Sequence, residues 1–227
     1  MDFPSAAVHV QAQAYQPYPV VVREGGDYKV RMFEWGLIAG YMNTPEKIKA
    51  MRNARSEKLL QDKQSYWRRI RTQRCLIPVS GIYEHRHIAG WKKTVPYYVR
   101  QGQRELFCIP GLFNYSPLPD PATGELKGSF ALITRNANGL MRNIHNGGPN
   151  AGRMPLFQPR EKELEWLEPD LGDEAMQALL DYELPSGALE YWPVYTIRTA
   201  KERPDFKGKN EPYEWKGLPP LGSGDPG

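Results

Sequence analysis

QRCLIPV (73–79), GIYEHRH (81–87), VPYYVR (95–100) and ELFCIPGLF (105–113) are four short runs rich in β-branched and aromatic residues. Each is too brief for a helix, and each is bounded by turn formers, so all four read as strands. The same signal extends upstream to PYPVVV (17–22) and YKVRMFEWGLI (28–38), with Gly25-Gly26 as the turn between them. Downstream, the Pro/Gly-rich loop YSPLPDPATGELKG (115–128) leads into SFALIT (129–134), MPLF (154–157) reads as strand or turn, and YWPVYT (191–196) is the last strand. Helical signals lie at the margins. Thr44-Pro45-Glu46 is a helix start over 45–53, with Thr as N-cap, Pro at N1 and an acid in the first turn. Further helices are expected at 56–71, 137–144, 160–167 and 173–182, the last capped by Asp173. No βαβ alternation is present. The expectation is an α+β fold: a curved, mainly antiparallel, barrel-like sheet flanked by short helices, in one domain over 1–200 with an extended or disordered tail over 201–227.

The chain has 227 residues, enough to bury a sizeable core, and its 21 Pro and 21 Gly favour many turns over a helix bundle. No stretch approaches the roughly 20 apolar residues of a membrane helix. The opening MDFPSAAVHVQAQAYQ has neither the basic nor the apolar region of a signal peptide. Cys75 and Cys108 both sit in apolar runs and read as buried free thiols, not as a disulfide or metal framework. These features set the expectation of a cytoplasmic protein, nucleoid-associated if bacterial, with no membrane partner, and monomeric. The formal net charge is only +4, yet Lys47, Lys49, Arg52, Arg55, Lys58, Lys63, Arg68, Arg69, Arg71 and Arg74 are opposed in that span by Glu57 and Asp62 alone. Such a block reads either as a track for a phosphate-bearing partner or as a solvated helix face.

Dinucleotide-binding, P-loop, zincin, CxxC and nucleophile-elbow motifs are all absent. His85-x-His87 places two imidazoles on one side of a strand, a weak metal signal, and no cofactor is expected. Three polar positions stand out. Asn53 lies at a break between two helical stretches, Glu84 follows a buried-looking strand, and His145 sits where an amphipathic turn meets the glycine loop NGGPNAG (146–152). Alone, each has an ordinary reading: a helix N-cap, an exposed strand carboxylate, and a helix C-terminal residue that complements the dipole.

Together these residues fall within a set of motifs that resembles the SOS-response-associated peptidase (SRAP) family. The matching segments are Trp35-Gly36-Leu37-Ile38, Asn53-Ala54-Arg55-Ser56-Glu57, RCLIPVSGIYEHRH (74–87, with His85 where the family usually has Trp), Ile133-Thr134, Ile144-His145 and Arg153-Met154-Pro155. Their order and spacing agree from about His9 to Val194. The resemblance implies that the chain recognises and processes abasic sites in single-stranded DNA. In the family, an N-terminal cysteine attacks the opened sugar aldehyde with its amine, and its thiol then closes a thiazolidine ring, leaving a DNA–protein crosslink.

The resemblance implies roles as well. Asn53 would position the sugar, Glu84 would move protons around the imine, and His145 would assist ring opening. Arg55 and Arg153 would hold phosphates, Trp35 would stack on bases, Thr134 would line the DNA site, and the basic block with Arg68 and Arg69 would extend the track. The sequence begins Met1-Asp2 where the family begins Met-Cys. Two expectations follow: a native start upstream at Met-Cys, or a divergent member that binds DNA, or forms a reversible Schiff base through its α-amine, without a stable crosslink. Competing readings are a non-catalytic nucleic-acid-binding module, a metal-dependent hydrolase built on Glu84, His85 and His87, and a peptidase, for which no general protease site is evident.

Overall fold

Alternation of side chains across each strand explains how the apolar runs are used. In β8 (Gly128–Asn136), Phe130 and Leu132 face one hydrophobic core, while Ala131 and Ile133 face another. In β4 (Arg74–Val79), Cys75 and Ile77 face the first core and Leu76 the second. Strands covered on both faces need no polar side, which is why they read as unbroken apolar runs. The computed structural model describes residues 7–14, 16–198 and 203–225.

The remaining strands, in chain order, are β1 (Pro17–Glu24), β2 (Asp27–Trp35), β3 (Asn53–Arg55), β5 (Ile82–Arg86), β6 (Val95–Gln101), β7 (Phe107–Tyr115), β9 (Arg153–Pro155) and β10 (Leu189–Pro193). The larger sheet runs β2-β1-β4-β7-β8, and β2 also pairs with β8, so the sheet closes on itself. Most pairings are antiparallel; β2–β8 and β3–β8 are parallel. A second sheet has the order β10-β6-β5. The α+β, barrel-like expectation therefore holds. Barrel closure fills the inner core with Val20, Val22, Phe33, Ile77, Ile109 and Phe130. The outer core is covered by α1 (Glu57–Leu60), α2 (Tyr66–Arg69), α4 (Arg160–Glu165) and α5 (Asp173–Asp181), with Leu59, Trp166, Met176 and Leu179 fully or almost fully buried. Each such side chain contributes about 1.5–3 kcal/mol by leaving water. No helix among the described residues is long and apolar enough to cross a membrane.

β7 and β8 approach so closely that only glycine fits at position 111. A Cβ there would lie 2.5 Å from Ile77 Cδ1 and 2.9 Å from the Ala131 carbonyl oxygen. Gly111→Ala is expected to cost about 1–3 kcal/mol through overpacking, read as a lowered urea midpoint with an unchanged slope.

Several local expectations are corrected. The helix start at Thr44 yields only a single 3-10 turn, Pro45–Lys47, with no side-chain cap bond from Thr44. The chain then extends so that Met51 bridges Leu37, and Asn53 lies in a strand, not at a helix N-cap. The helix expected over 56–71 is broken into α1 and α2. Asp173 is the first residue of α5, whose N-cap is Gly172. The tail carries no regular helix or strand where it is described, but it is docked. Trp215, Leu218 and Leu221 pack on the inner core, and the Trp215 indole donates to the Val194 carbonyl at 3.0 Å.

Candidate active site

Strand β3 is three residues long, and period-2 geometry decides what it shows to each side. Ala54 is buried in the outer core, while Asn53 and Arg55 point the other way, exposed, into a cleft of about 750 Å³. The strand is held by parallel pairing to β8, with Asn53 opposite Leu132 and Arg55 opposite Thr134. Trp35, at the end of β2, donates its indole N–H to the Arg52 carbonyl at 2.9 Å and stacks on Phe130. The indole thus fixes the entry to β3 as well as forming cleft wall.

Glu84 comes from β5 on the second sheet. His145 is the C-cap of α3 (Gly139–Ile144), a helix anchored by buried Met141 and Ile144 and by the Asn138 side chain, which accepts from the Met141 N–H. The two side chains meet in the cleft, His145 Nε2 lying 3.8 Å from Glu84 Oε2. His145 Nδ1 is 2.8 Å from the Arg153 carbonyl oxygen. A carbonyl only accepts, so Nδ1 carries the proton, and Nε2 is the nitrogen turned to Glu84. Burial pushes the Glu84 carboxyl above its ordinary range, against the pull of His145 and Arg198. A carboxyl that gives up its proton less readily than usual, beside an imidazole nitrogen, is suited to proton exchange with a reacting group that touches both.

Cations surround this pair. Arg52, Arg55, Arg153 and Arg198 line the cleft, and Glu84 is the only carboxylate among its lining residues. His85 also lines it, but burial first, then Arg198 and the other histidines, lower its pKa to about 4, so it is neutral at physiological pH. Tyr83 donates to the Val8 carbonyl at 3.1 Å, and His9 packs edge-on against the Tyr83 ring, so the segment 7–13 forms part of the wall.

The structure thus brings together Trp35, Asn53, Arg55, Glu84, Thr134, His145 and Arg153 around one cleft. It does not bring Arg68 and Arg69 there. Arg69 is exposed on α2; Arg68 bonds the Leu60 carbonyl and Asp173, which also takes Arg71 at 2.9 Å. Arg74 is buried, donating to the carbonyls of Trp166 and Glu168. The basic block is therefore no continuous track: Arg52 and Arg55 serve the cleft, while Arg68, Arg71 and Arg74 join α2 and β4 to the α4–α5 region.

Arg153 is also not free to clasp a phosphate. Its guanidinium forms a two-pronged pair with Glu57 and donates to the Thr134 carbonyl at 2.7 Å and to Asn136 Oδ1 at 2.9 Å. Burial pushes the Glu57 carboxyl up, but the Arg153 fork, the Glu57 backbone N–H and Ser56 together outweigh it and hold it low. The contribution of Arg153 to the cleft is its carbonyl, which orients His145. Arg198 and Tyr83 are cleft residues that sequence reasoning missed. Arg198 follows the last strand with no motif around it, and Tyr83 is hidden inside an ordinary strand pattern.

His87 lies beyond the cleft lining, and among the described residues no three His, Cys, Asp or Glu side chains converge as metal ligands. The two thiols lie in β4 and β7. Burial pushes Cys75 up strongly and Cys108, with help from Glu163, up to about 12.

Residues 5–197 match the family model for SOS response associated peptidase (SRAP). The chain belongs to this family. Among relatives, it is 29% identical over 161 residues to abasic site processing protein YoqW of Bacillus subtilis (strain 168), covering 70% of this chain and 67% of that protein. It is 24% identical over 172 residues to abasic site processing protein YMR114C of Saccharomyces cerevisiae, covering 73% of this chain and 43% of the yeast protein. A crystal structure of a Bacteroides thetaiotaomicron protein superposes with a TM-score of 0.71 at 29% identity, over 90% of this chain and 82% of that one. The family fold therefore extends over the barrel, the second sheet and the cleft between them.

Proposed function

We propose that this chain recognises an abasic site in single-stranded DNA and moves protons at the opened sugar through Glu84 and His145. The observation that carries this reading is the 3.8 Å Glu84–His145 pair set in a cleft that Arg55 and Arg198 also line. An acid–base pair needs a substrate with exchangeable protons, and Arg55 and Arg198 call for phosphates around it. An abasic nucleotide in a single strand offers both, and with no base to accommodate, it fits a cleft of about 750 Å³ together with its flanking phosphates. The relatives named as abasic site processing proteins support the same substrate. Asn53, exposed on β3 beside Arg55, is assigned to the sugar, and Arg55 and Arg198 to the flanking phosphates.

A thiazolidine requires an amine and a thiol on one residue. Neither Cys75 nor Cys108 offers that pair, and both thiols are held protonated by burial. The proposal is therefore confined to lesion recognition and proton chemistry.

The test compares labelled single strands that differ only by one abasic site, with borohydride added to reduce any imine between the aldehyde and a protein amine. Binding at least tenfold tighter to the abasic strand, and a trapped product made about 100-fold more slowly by His145→Ala, are expected. Equal affinity for the two strands, with steep loss of both as salt rises, would instead establish a non-catalytic nucleic-acid binder.

A further inference from the structure

Glu84 and His145 belong to elements far apart in sequence, and one side chain outside the cleft ties those elements together. Asn146 follows His145 directly but is not a lining residue. Its Oδ1 accepts from the His87 backbone N–H at 2.7 Å, and its Nδ2 donates to the His87 carbonyl at 2.9 Å. His87 is the first residue after β5, three beyond Glu84. The amide therefore takes the place of a neighbouring strand at the open end of β5, satisfying both backbone groups of one residue. Only one orientation does so, because the N–H needs the amide oxygen and the carbonyl needs the amide nitrogen.

The next residue tightens the same joint. A Cβ on Gly147 would fall inside the His87 imidazole, so the ring rests directly on the backbone there. Segments 84–87 and 145–147 are thereby tied together at His87, one bearing the carboxyl and the other the imidazole.

We propose that Asn146 is a positioning residue that sets the Glu84–His145 spacing. The inference rests on the proton-transfer reading of the site given above. Apart from the Glu84–His145 contact itself, no other side-chain hydrogen bond among the described residues joins residues 82–87 to residues 139–147. At 3.8 Å, both groups can reach one reacting oxygen that lies about 2.8 Å from each. A displacement of about 1 Å from such a geometry can cost on the order of 100-fold in rate.

The experiment uses the full chain with Asn146→Ala and with Asn146→Asp, which keeps the acceptor for the His87 N–H and loses the donor. Without DNA, the His145 ring resonances are followed by NMR as Glu84→Gln is introduced with and without each Asn146 change. The shift caused by Glu84→Gln is expected to fall to less than half in the Asn146→Ala background, with Asn146→Asp between. With an abasic single strand, the rate of trapped-product formation is expected to fall about 10- to 100-fold while Kd stays within twofold. An undiminished Glu84–His145 response, or a rate that is unchanged or falls only in step with Kd, would overturn the proposal. Should Asn146→Ala not fold, the same two readings on Asn146→Asp decide it. If the unaltered protein fails to distinguish abasic from intact strands, the functional reading falls, while the DNA-free response still decides whether Asn146 holds the pair.

Discussion

Glu84→Gln is expected to slow abasic-strand processing by about 100-fold or more, while binding of an intact single strand is unchanged. The substitution keeps shape and hydrogen bonding but removes the exchangeable proton. The same variant is expected to be more stable than the parent at neutral pH, by about 0.5–2 kcal/mol. The sign follows from linkage. Burial raises the Glu84 carboxyl above the ordinary value of about 4.3 that it has in the unfolded chain. Its contribution to stability is therefore full below that value and lost as pH rises through the folded pKa. Urea midpoints of parent and variant should converge near pH 4 and separate above it. A gap that is constant with pH would show that Glu84 is not held in its neutral form, and an unchanged rate would remove it from the chemistry.

The second large effect is structural and lies behind the same strand. Arg86, two residues beyond Glu84, is fully buried. Its Nε pairs with Asp225 Oδ1 at 2.7 Å, and its remaining donors reach the carbonyls of Pro219, Pro220 and Ser223 at 2.6–2.8 Å. Burial opposes the charge, and Asp225 with Tyr97 outweighs it. Arg86→Ala strips four acceptors of their partner and opens a void beside the inner core. A loss of about 3–5 kcal/mol is expected, measured by urea denaturation. Asp225→Asn leaves the three carbonyl bonds and should cost less, about 1.5–3 kcal/mol. Equal and small losses for both would mean that the tail is not docked through this guanidinium.

The strands were legible because their signal is local. CLIPV, PYYV and FALIT leave no polar face, and turn formers bound them. β3 was not legible. Asn53-Ala54-Arg55 is a strand only because β8 offers it an edge nearly eighty residues later, and its own neighbours read as helix. Within the site, Glu84 and His145 were marked by the family motifs, but their meeting depends on Asn146 and His87, ordinary residues in a loop and at a strand end. The charge block misled for a related reason. Basic residues announce an acceptor without saying whether it is DNA, the protein's own Asp173 carboxylate or the backbone carbonyls of Trp166 and Glu168. Arg153 shows the same ambiguity, since Glu57 takes the fork that a phosphate would have used.

The docking of the tail on Arg86 also imposes an order on synthesis. β5 leaves the ribosome more than 130 residues before the acceptors that surround its guanidinium. Until Pro219 to Asp225 are made, that cation lacks the acceptors that allow it to leave water. The barrel can close early, from pairings already translated, but the buried side of the strand carrying Glu84 is sealed only once Pro219 to Asp225 arrive.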